Sequence, residues 1–364
     1  MQWLGGMGII VLSVAILPMF GLGGMQLYSA EVTGVSYEKL SPRIADTAKQ
    51  MWLTYIFLTI TQIALLTLEG MTLFDSICHS LSTISTGGFS TRNDSMISYN
   101  AAIQWTTAIF MFLSGINFTQ LIYLFRGKPQ RLFKDEETQW YACAVGVATL
   151  FLSLGLFIHY GIEHDISKIV EMENFFATVE RSLRKGFFMV CTAMTSTGFA
   201  ASDYMTWPKL LWVFVFFLMF TGASSGSTAG GIKWVRIGIF AKSALTEIKR
   251  RIHPNAVIPV RFNGRTINDS TKINIMAFMF FYIAIIVVAV LIFCVSGVVF
   301  DEAIGTAVSA IGNVGVTIGQ FGPSSGTYAD YPTVAKWTAT LVMLIGRLEI
   351  FTILLLFSRS LWKK

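Results

Sequence analysis

The chain has 364 residues, 54% of them hydrophobic and 13% charged, with a mean hydropathy of +0.61 and a formal net charge of +6. Soluble domains carry about 25% charged residues, so half that share over this length excludes a soluble domain and predicts an all-α polytopic membrane protein. The positive balance then reads as membrane topology rather than nucleic-acid affinity.

The chain opens at once in the body of an apolar helix, Trp3-Leu4-Gly5-Gly6-Met7-Gly8-Ile9-Ile10, with no charged leader. So abrupt a start predicts no cleavable signal peptide and further sequence before residue 1. Seven spanning segments follow from hydropathy, at about 3–20, 49–69, 102–125, 139–161, 208–246, 272–298 and 334–361. A span needs roughly 20 apolar residues. The runs 73–85, 182–196 and 300–313 are too short for that. Each is expected to dip into the membrane as a half-helix and stop at a small-residue turn: Ser85-Thr86-Gly87-Gly88, Ser196-Thr197-Gly198-Phe199 and Asn313-Val314-Gly315-Val316. Taken alone, a Thr-Gly-Gly tripeptide is a common loop signal. Its recurrence in the same setting argues for one structural role used several times.

The repeat is supported by a later glycine in a similar apolar context, Gly115, Gly222 and Gly346, which lies 28, 24 and 31 residues beyond Gly87, Gly198 and Gly315. Pore units are therefore expected at 48–127, 138–247 and 272–362, with 1–27 as the last helix of an incomplete first unit. Charge sets the orientation. The loops 28–49, 126–137 and 233–272 and the C-terminus hold 19 of the 27 Lys and Arg. By the positive-inside rule those loops are cytoplasmic and the glycine turns face outside.

A path for a small cation needs oxygen ligands that replace its hydration shell without chelating it tightly. The turns offer backbone carbonyls, with Thr86 and Thr197 adding hydroxyls, and Gly87, Gly198 and Gly315 are expected to take positive φ and let the strands approach closely. Asp94, Asp203 and Asp330 beyond the turns read either as a cation-attracting vestibule or as ordinary solvated loop acids. Arg347 lies inside the last span, where a charge costs about 2.5–3.5 kcal/mol on insertion scales. It reads as a positive charge beneath the turns that limits ion occupancy, or as half of a structural ion pair. Residues 222–231, all Gly, Ala, Ser and Thr, break the fifth span, since each Gly costs about 1 kcal/mol relative to Ala in a helix. The break is a movable gate or a static kink, with Gly222, Ser224, Gly226, Ser227, Gly230 and Gly231 as its residues.

The rest of the inventory is plain. Cys78, Cys143, Cys191 and Cys294 lie in apolar segments without CxxC spacing and read as small buried hydrophobes. His79, His159, His164 and His253 share no ligand spacing. No nucleotide-binding, hydrolase or metalloprotease motif is present, so no enzyme and no bound cofactor is expected.

With the turns, Arg347 and the 222–231 break in place, the chain resembles the membrane subunit of the Trk/Ktr potassium-uptake family in its bacterial Trk form, TrkH or TrkG. The matching words are Gln2-Trp3-Leu4-Gly5-Gly6-Met7-Gly8-Ile9, Gly23-Gly24-Met25-Gln26-Leu27, Pro42-Arg43-Ile44-Ala45, Ser85-Thr86-Gly87-Gly88-Phe89-Ser90, Gly226-Ser227-Thr228-Ala229-Gly230-Gly231-Ile232-Lys233 and Gly312-Asn313-Val314-Gly315. The resemblance implies four pseudo-repeated membrane–pore–membrane units around one potassium-channel-like pore in the bacterial inner membrane. It implies a filter at Thr86, Gly87, Gly88, Thr197, Gly198, Asn313, Val314 and Gly315, with K⁺ held by the backbone of Thr86, Gly87, Thr197, Gly198, Val314 and Gly315. Gly222–Gly231 would be the gating loop and Arg347 the pore arginine. It also implies a homodimer and a cytosolic nucleotide-binding regulatory subunit of TrkA type, for which the basic stretch 242–265 is a candidate contact. The family has a first pore turn and helices before the Trp-Leu-Gly-Gly-Met segment that are missing here, so the sequence is expected to be a fragment or the product of a truncated gene. Coupling to H⁺ or Na⁺ is not legible. The competing reading is an ion-coupled secondary transporter of a small organic solute. That class usually shows inverted repeats, whereas these units all run the same way.

Overall fold

The computed structural model describes residues 1–7, 44–163, 172–317, 328–348 and 350–356. Most of the first predicted span, the segment through Gly23-Gly24-Met25 and Pro42-Arg43, His164, and the basic C-terminus lie outside the described residues. The described chain is helical, as expected, apart from one two-stranded hairpin.

A short helix α1 (Gln2–Gly6) precedes α2 (Ile44–Leu68) and the half-helix α3 (Leu73–Ile84). Thr72 caps α3, its hydroxyl accepting from the Asp75 N–H at 3.2 Å. Next come α4 (Ala101–Ser114) and α5 (Phe118–Phe125). These replace the single span expected at 102–125, because the chain turns by 107° between them. Tight packing forces the break. A Cβ on Gly115 would run into the Tyr141 hydroxyl, and Asn117 starts a fresh helix by accepting from the Thr119 N–H at 2.9 Å.

After α6 (Pro129–Lys134) the long α7 (Glu136–Glu163) packs along α8 (Met172–Met194), the most extensive helix pair in the fold. The second half-helix therefore begins ten residues before the expected 182. The expected broken span is α9 (Lys209–Phe220), a non-helical loop, and α10 (Trp234–Ile252). Strands β1 (Arg261–Phe262) and β2 (Arg265–Thr266) form an antiparallel hairpin. Its two-residue turn, Asn263-Gly264, has φ of +48° and +74°, the left-handed pair that a tight hairpin needs. Then come α11 (Asp269–Val295), the half-helix α12 (Phe300–Gly312), α13 (Thr333–Arg347) and α14 (Ile350–Leu356).

Among the described residues, α2, α7 and α11 are long and apolar enough to cross a bilayer, and α4 with α5 adds a fourth crossing if the bent pair counts as one. α11 leaves Phe280, Ile283, Val287, Val288 and Leu291 exposed on its outer side, as a lipid-facing helix does. Cys191 is fully buried, whereas Cys143, expected inside, lies exposed on α7. The core is built around the three half-helices: Ala303, Ala307, Val308 and Ile311 of α12 and Val190, Ala193 and Met194 of α8 are all at most 1% exposed. The fold therefore buries the C-terminal parts of the half-helices, whose apolar runs are too short to span, and leaves apolar faces of the long helices outside.

Candidate functional site

The three half-helices end in the same way. In each, two residues in left-handed conformation alternate with one that is not: Thr86 (φ +52°) and Gly88 (+68°), Ser196 (+52°) and Gly198 (+90°), Asn313 (+53°) and Gly315 (+86°). In each, the first left-handed residue donates its N–H to the carbonyl three residues back and the next one to the carbonyl five back. The second bonds are Gly87 to Ser82 at 2.7 Å, Thr197 to Thr192 at 3.0 Å and Val314 to Ser309 at 2.9 Å. This six-to-one closure ends a helix by satisfying its last carbonyls. The turns thus superpose as Thr86-Gly87-Gly88, Ser196-Thr197-Gly198 and Asn313-Val314-Gly315. The positive φ expected at Gly87 belongs to Gly88, and Gly87 aligns with Thr197 and Val314.

That register exposes residues the sequence reading missed. Four residues before each first left-handed position stands a hydroxyl: Ser82, Thr192 and Ser309. Each holds the strand that leaves its turn. Ser82 Oγ accepts from the Phe89 N–H at 2.7 Å, Thr192 Oγ1 donates to the Phe199 carbonyl at 2.9 Å, and Ser309 Oγ accepts from the Gly315 N–H at 3.0 Å. The side chains at the first left-handed position, among them the Thr86 hydroxyl offered above to ions, bond to protein. Thr86 Oγ1 donates to the Thr228 carbonyl at 2.8 Å, Ser196 Oγ accepts from the Gly230 N–H at 2.6 Å, and Asn313 Nδ2 donates to the Met343 carbonyl at 3.0 Å. The Thr197 hydroxyl pairs with that of Thr195 at 2.6 Å. A β-branched residue at positive φ is unusual and costs about 1–2 kcal/mol; at Thr86 these bonds offset it.

The turns lie edge to edge. A Cβ on Gly88 would collide with the Thr197 carbonyl oxygen, and one on Gly198 with the Val314 carbonyl oxygen. Glycine is required at both, by its φ and by its neighbour. The glycines in the helices after the turns act as buttresses. A Cβ on Gly6 would lie 2.6 Å from that of Ser85, one on Gly115 2.9 Å from Thr195 Cγ2, and one on Gly346 would meet the Ile311 carbonyl. Ser85 and Thr195 each immediately precede a first left-handed residue, so Gly6 braces the first turn as Gly115 braces the second.

The small-residue segment is pinned against the same turns. Residues 221–233 fold back on themselves through a bridge between Thr221 and Ile232. Thr228, 2% exposed, is the hub: its hydroxyl donates to the Ile84 carbonyl at 3.0 Å, and its carbonyl accepts from both Thr86 Oγ1 and Arg347 Nη1, the latter at 3.1 Å. Arg347 ends α13 and reaches toward the Gly5 carbonyl at 3.5 Å as well. Of the other loop positions, Ser224 N–H donates to the Gly115 carbonyl, Gly226 accepts from the Phe118 N–H, Ser227 Oγ returns to the Ser224 carbonyl at 2.6 Å, and Gly222 and Gly231 lie against each other where the loop closes.

A carboxylate the sequence reading passed over holds the other side of the loop. Glu137, 1% exposed, accepts from the Ser225 N–H and hydroxyl, both at 2.6 Å, and from the Val235 N–H at 3.1 Å. Nothing in its sequence setting, a charged loop, marks it. The acids read above as a vestibule or as ordinary solvated loop acids lie beyond the turns, Asp203 and Asp330 exposed and Asp94 half-buried. Asp75, at the head of α3, takes a 2.6 Å hydrogen bond from Thr91 that holds its carboxyl below the usual carboxylate range. His79 is fully buried and ties α3 to the strand after its turn, through the Asp75 carbonyl at 2.8 Å and Ser90 Oγ at 2.9 Å.

The TrkH sequence profile, described as a cation transport protein, matches residues 1–364. The chain is similar to the Trk system potassium uptake proteins TrkH of Halomonas elongata and of Escherichia coli K12, at 36% identity in each case. Both alignments cover all of this chain and 72% of the relative. The Trk system potassium uptake protein TrkG of Escherichia coli K12 is 34% identical over the same share. Among solved structures, the potassium transporter TrkH from Vibrio parahaemolyticus superposes with a TM-score of 0.80 at 32% identity, over all of this chain and 71% of that one.

Proposed function

Because the chain belongs to the TrkH family of cation transport proteins, we propose that it serves potassium uptake as the membrane subunit of a Trk-type system. The observation that carries this reading is the set of three superposable turns packed glycine to carbonyl. Alternating residues of positive and negative φ let successive carbonyls turn to the same side, and carbonyls held in this way replace the hydration shell of a monovalent cation. The oxygens of Thr86, Gly87, Thr197, Gly198, Val314 and Gly315 are the proposed K⁺ ligands, with Gly88 and Asn313 shaping the turns. The pore units are those expected at 48–127, 138–247 and 272–362, with the segment through Gly6 as the last helix of an incomplete first unit.

In this reading the loop Gly222–Gly231 is the gate, and Arg347, bonded to its hub residue Thr228, places a positive charge beside it. The protein sits in the inner membrane with the turns outside and the basic α10 and hairpin in the cytoplasm, works as a homodimer, and takes a cytosolic nucleotide-binding regulatory subunit on that basic face. The test is growth rescue of a potassium-uptake-deficient bacterium at limiting K⁺. Rescue that Na⁺ cannot replace supports the reading; normal membrane insertion without rescue counts against it.

A further inference from the structure

Three consecutive acids, Asp135-Glu136-Glu137, stand at the head of α7, and each is bonded to a different element. Asp135 caps α7, accepting from Thr138 N–H and hydroxyl at 2.9 and 2.7 Å, and its other oxygen takes Nδ2 of Asn263, in the hairpin turn, at 2.8 Å. Asn263 answers by accepting from the Glu136 N–H at 2.7 Å. The Glu136 carboxylate pairs at 2.5 Å with Lys242 of α10, whose ammonium also donates to the Arg261 carbonyl of β1 at 3.0 Å. Glu137 closes the set on Ser225 of the loop and on Val235 in the first turn of α10.

The Glu137 contact is unusual in what it joins. No side chain caps α10 from its own N-terminus. The carboxylate from α7 takes that place, where a helix presents unpaired N–H groups and the positive end of its dipole. One buried carboxylate therefore fixes the loop and the start of α10 to the same point. The packing beneath is close. A Cβ on Gly238 of α10 would lie 2.9 Å from the Phe262 ring and 3.4 Å from the Trp140 ring, so α7, α10 and the hairpin form one block.

We propose that Asp135, Glu136 and Glu137 form the junction that carries displacement of the cytoplasmic hairpin and α10 to the gate loop, with Glu137 as the positioning residue that holds the loop closed. The proposal rests on the gate reading of Gly222–Gly231. A force on the hairpin reaches α7 through Asn263 and α10 through the Arg261–Lys242 contact, and any shift of α10 against α7 breaks Glu137 from either Val235 or Ser225. A buried carboxylate with three donors is a strong but discrete contact, so the junction has two states rather than a continuum.

The experiment measures ⁸⁶Rb⁺ flux per inserted protein in proteoliposomes made with the whole chain. Glu137→Ala should raise basal flux about tenfold at unchanged apparent affinity, in the range of ordinary coupling between sites. Glu137→Gln, which keeps an oxygen for the two N–H donors, should restore most of the control. Because Glu137→Ala could reduce folding, Lys242→Met and Ser225→Ala are measured alone and together. Their combined effect should fall short of the product of the single effects by about threefold, as for residues acting through one contact. Well-inserted Glu137→Ala with wild-type flux, or multiplicative effects in the pair, overturns the junction. A loop-shortened variant lacking Gly226–Thr228 separates the two readings. If it leaks and Glu137→Ala does not, the junction fails while the gate stands; if it does not leak, the gate reading falls and the junction with it.

Discussion

The helices that follow the first and second described turns break at the same place, around the glycines Gly115 and Gly222, and the two breaks could hardly differ more. The first is a three-residue elbow. Asn117 caps the next helix at once, and α5 leaves at 107° to α4. The second runs from Thr221 to Lys233 before helix resumes at Trp234. The elbow bonds its Gly115 and Ile116 N–H groups within the preceding turn and shares only the Gly115 carbonyl and the Phe118 N–H with the long break. The long break takes partners from everywhere else: the Ile84 and Gly115 carbonyls, the Ser196 hydroxyl, Glu137 and Arg347. Backbone off the helical path at membrane depth survives only when protein or water satisfies it. The same glycine position thus yields a fixed corner when the cap is adjacent. When the cap is remote, it yields a segment whose position depends on outside contacts.

The comparison breaks first at the loop. Removing Gly226–Thr228 deletes the hub that holds Thr86 and Arg347 and should raise ⁸⁶Rb⁺ flux in proteoliposomes by tenfold or more, since about 1.4 kcal/mol of lost closure corresponds to a factor of ten. Flux at the wild-type level would make the long break as static as the elbow. A smaller effect, a rise of about threefold, is expected from Arg347→Ala, which removes one charge-assisted bond to the Thr228 carbonyl and a positive charge beside it. Unchanged flux and rectification would deny the arginine any part in the barrier. The elbow supplies the smallest change. Asn117→Ala loses a helix cap and should cost about 1 kcal/mol of thermal stability in detergent, with flux altered by less than about twofold. A leak as large as that of the shortened loop would mean that the elbow moves too.

Much of this was legible in the chain, and the reasons are local. The half-helices show because their apolar runs are too short to span. Their stops show because the second left-handed position of each turn calls for glycine, and Gly88, Gly198 and Gly315 supply it. The glycines Gly115, Gly222 and Gly346 repeat closely enough to be found by spacing, and Gly115 and Gly346 are buttresses. The register was off by one in the first turn, because Thr-Gly-Gly offers two glycines and only backbone φ separates them. Once the register is set, the hydroxyls Ser82, Thr192 and Ser309 line up and become readable. Glu137 never does, since a glutamate among the charges of the stretch 126–137 looks like its neighbours until the segment 221–233 packs against it.

By itself the sequence determined the class of the protein, the three half-helix turns and the break at 222–231, but not the elbow at Gly115–Asn117, because composition, helix length and the φ demanded by a turn are properties of near neighbours. Tertiary structure alone decided which groups meet across the chain: Thr86 with Thr228, 142 residues apart, and Glu137 with Ser225, 88 apart. Those pairs form because packed helices leave non-helical backbone no water to bond to, so whatever polar group the fold brings near becomes its partner.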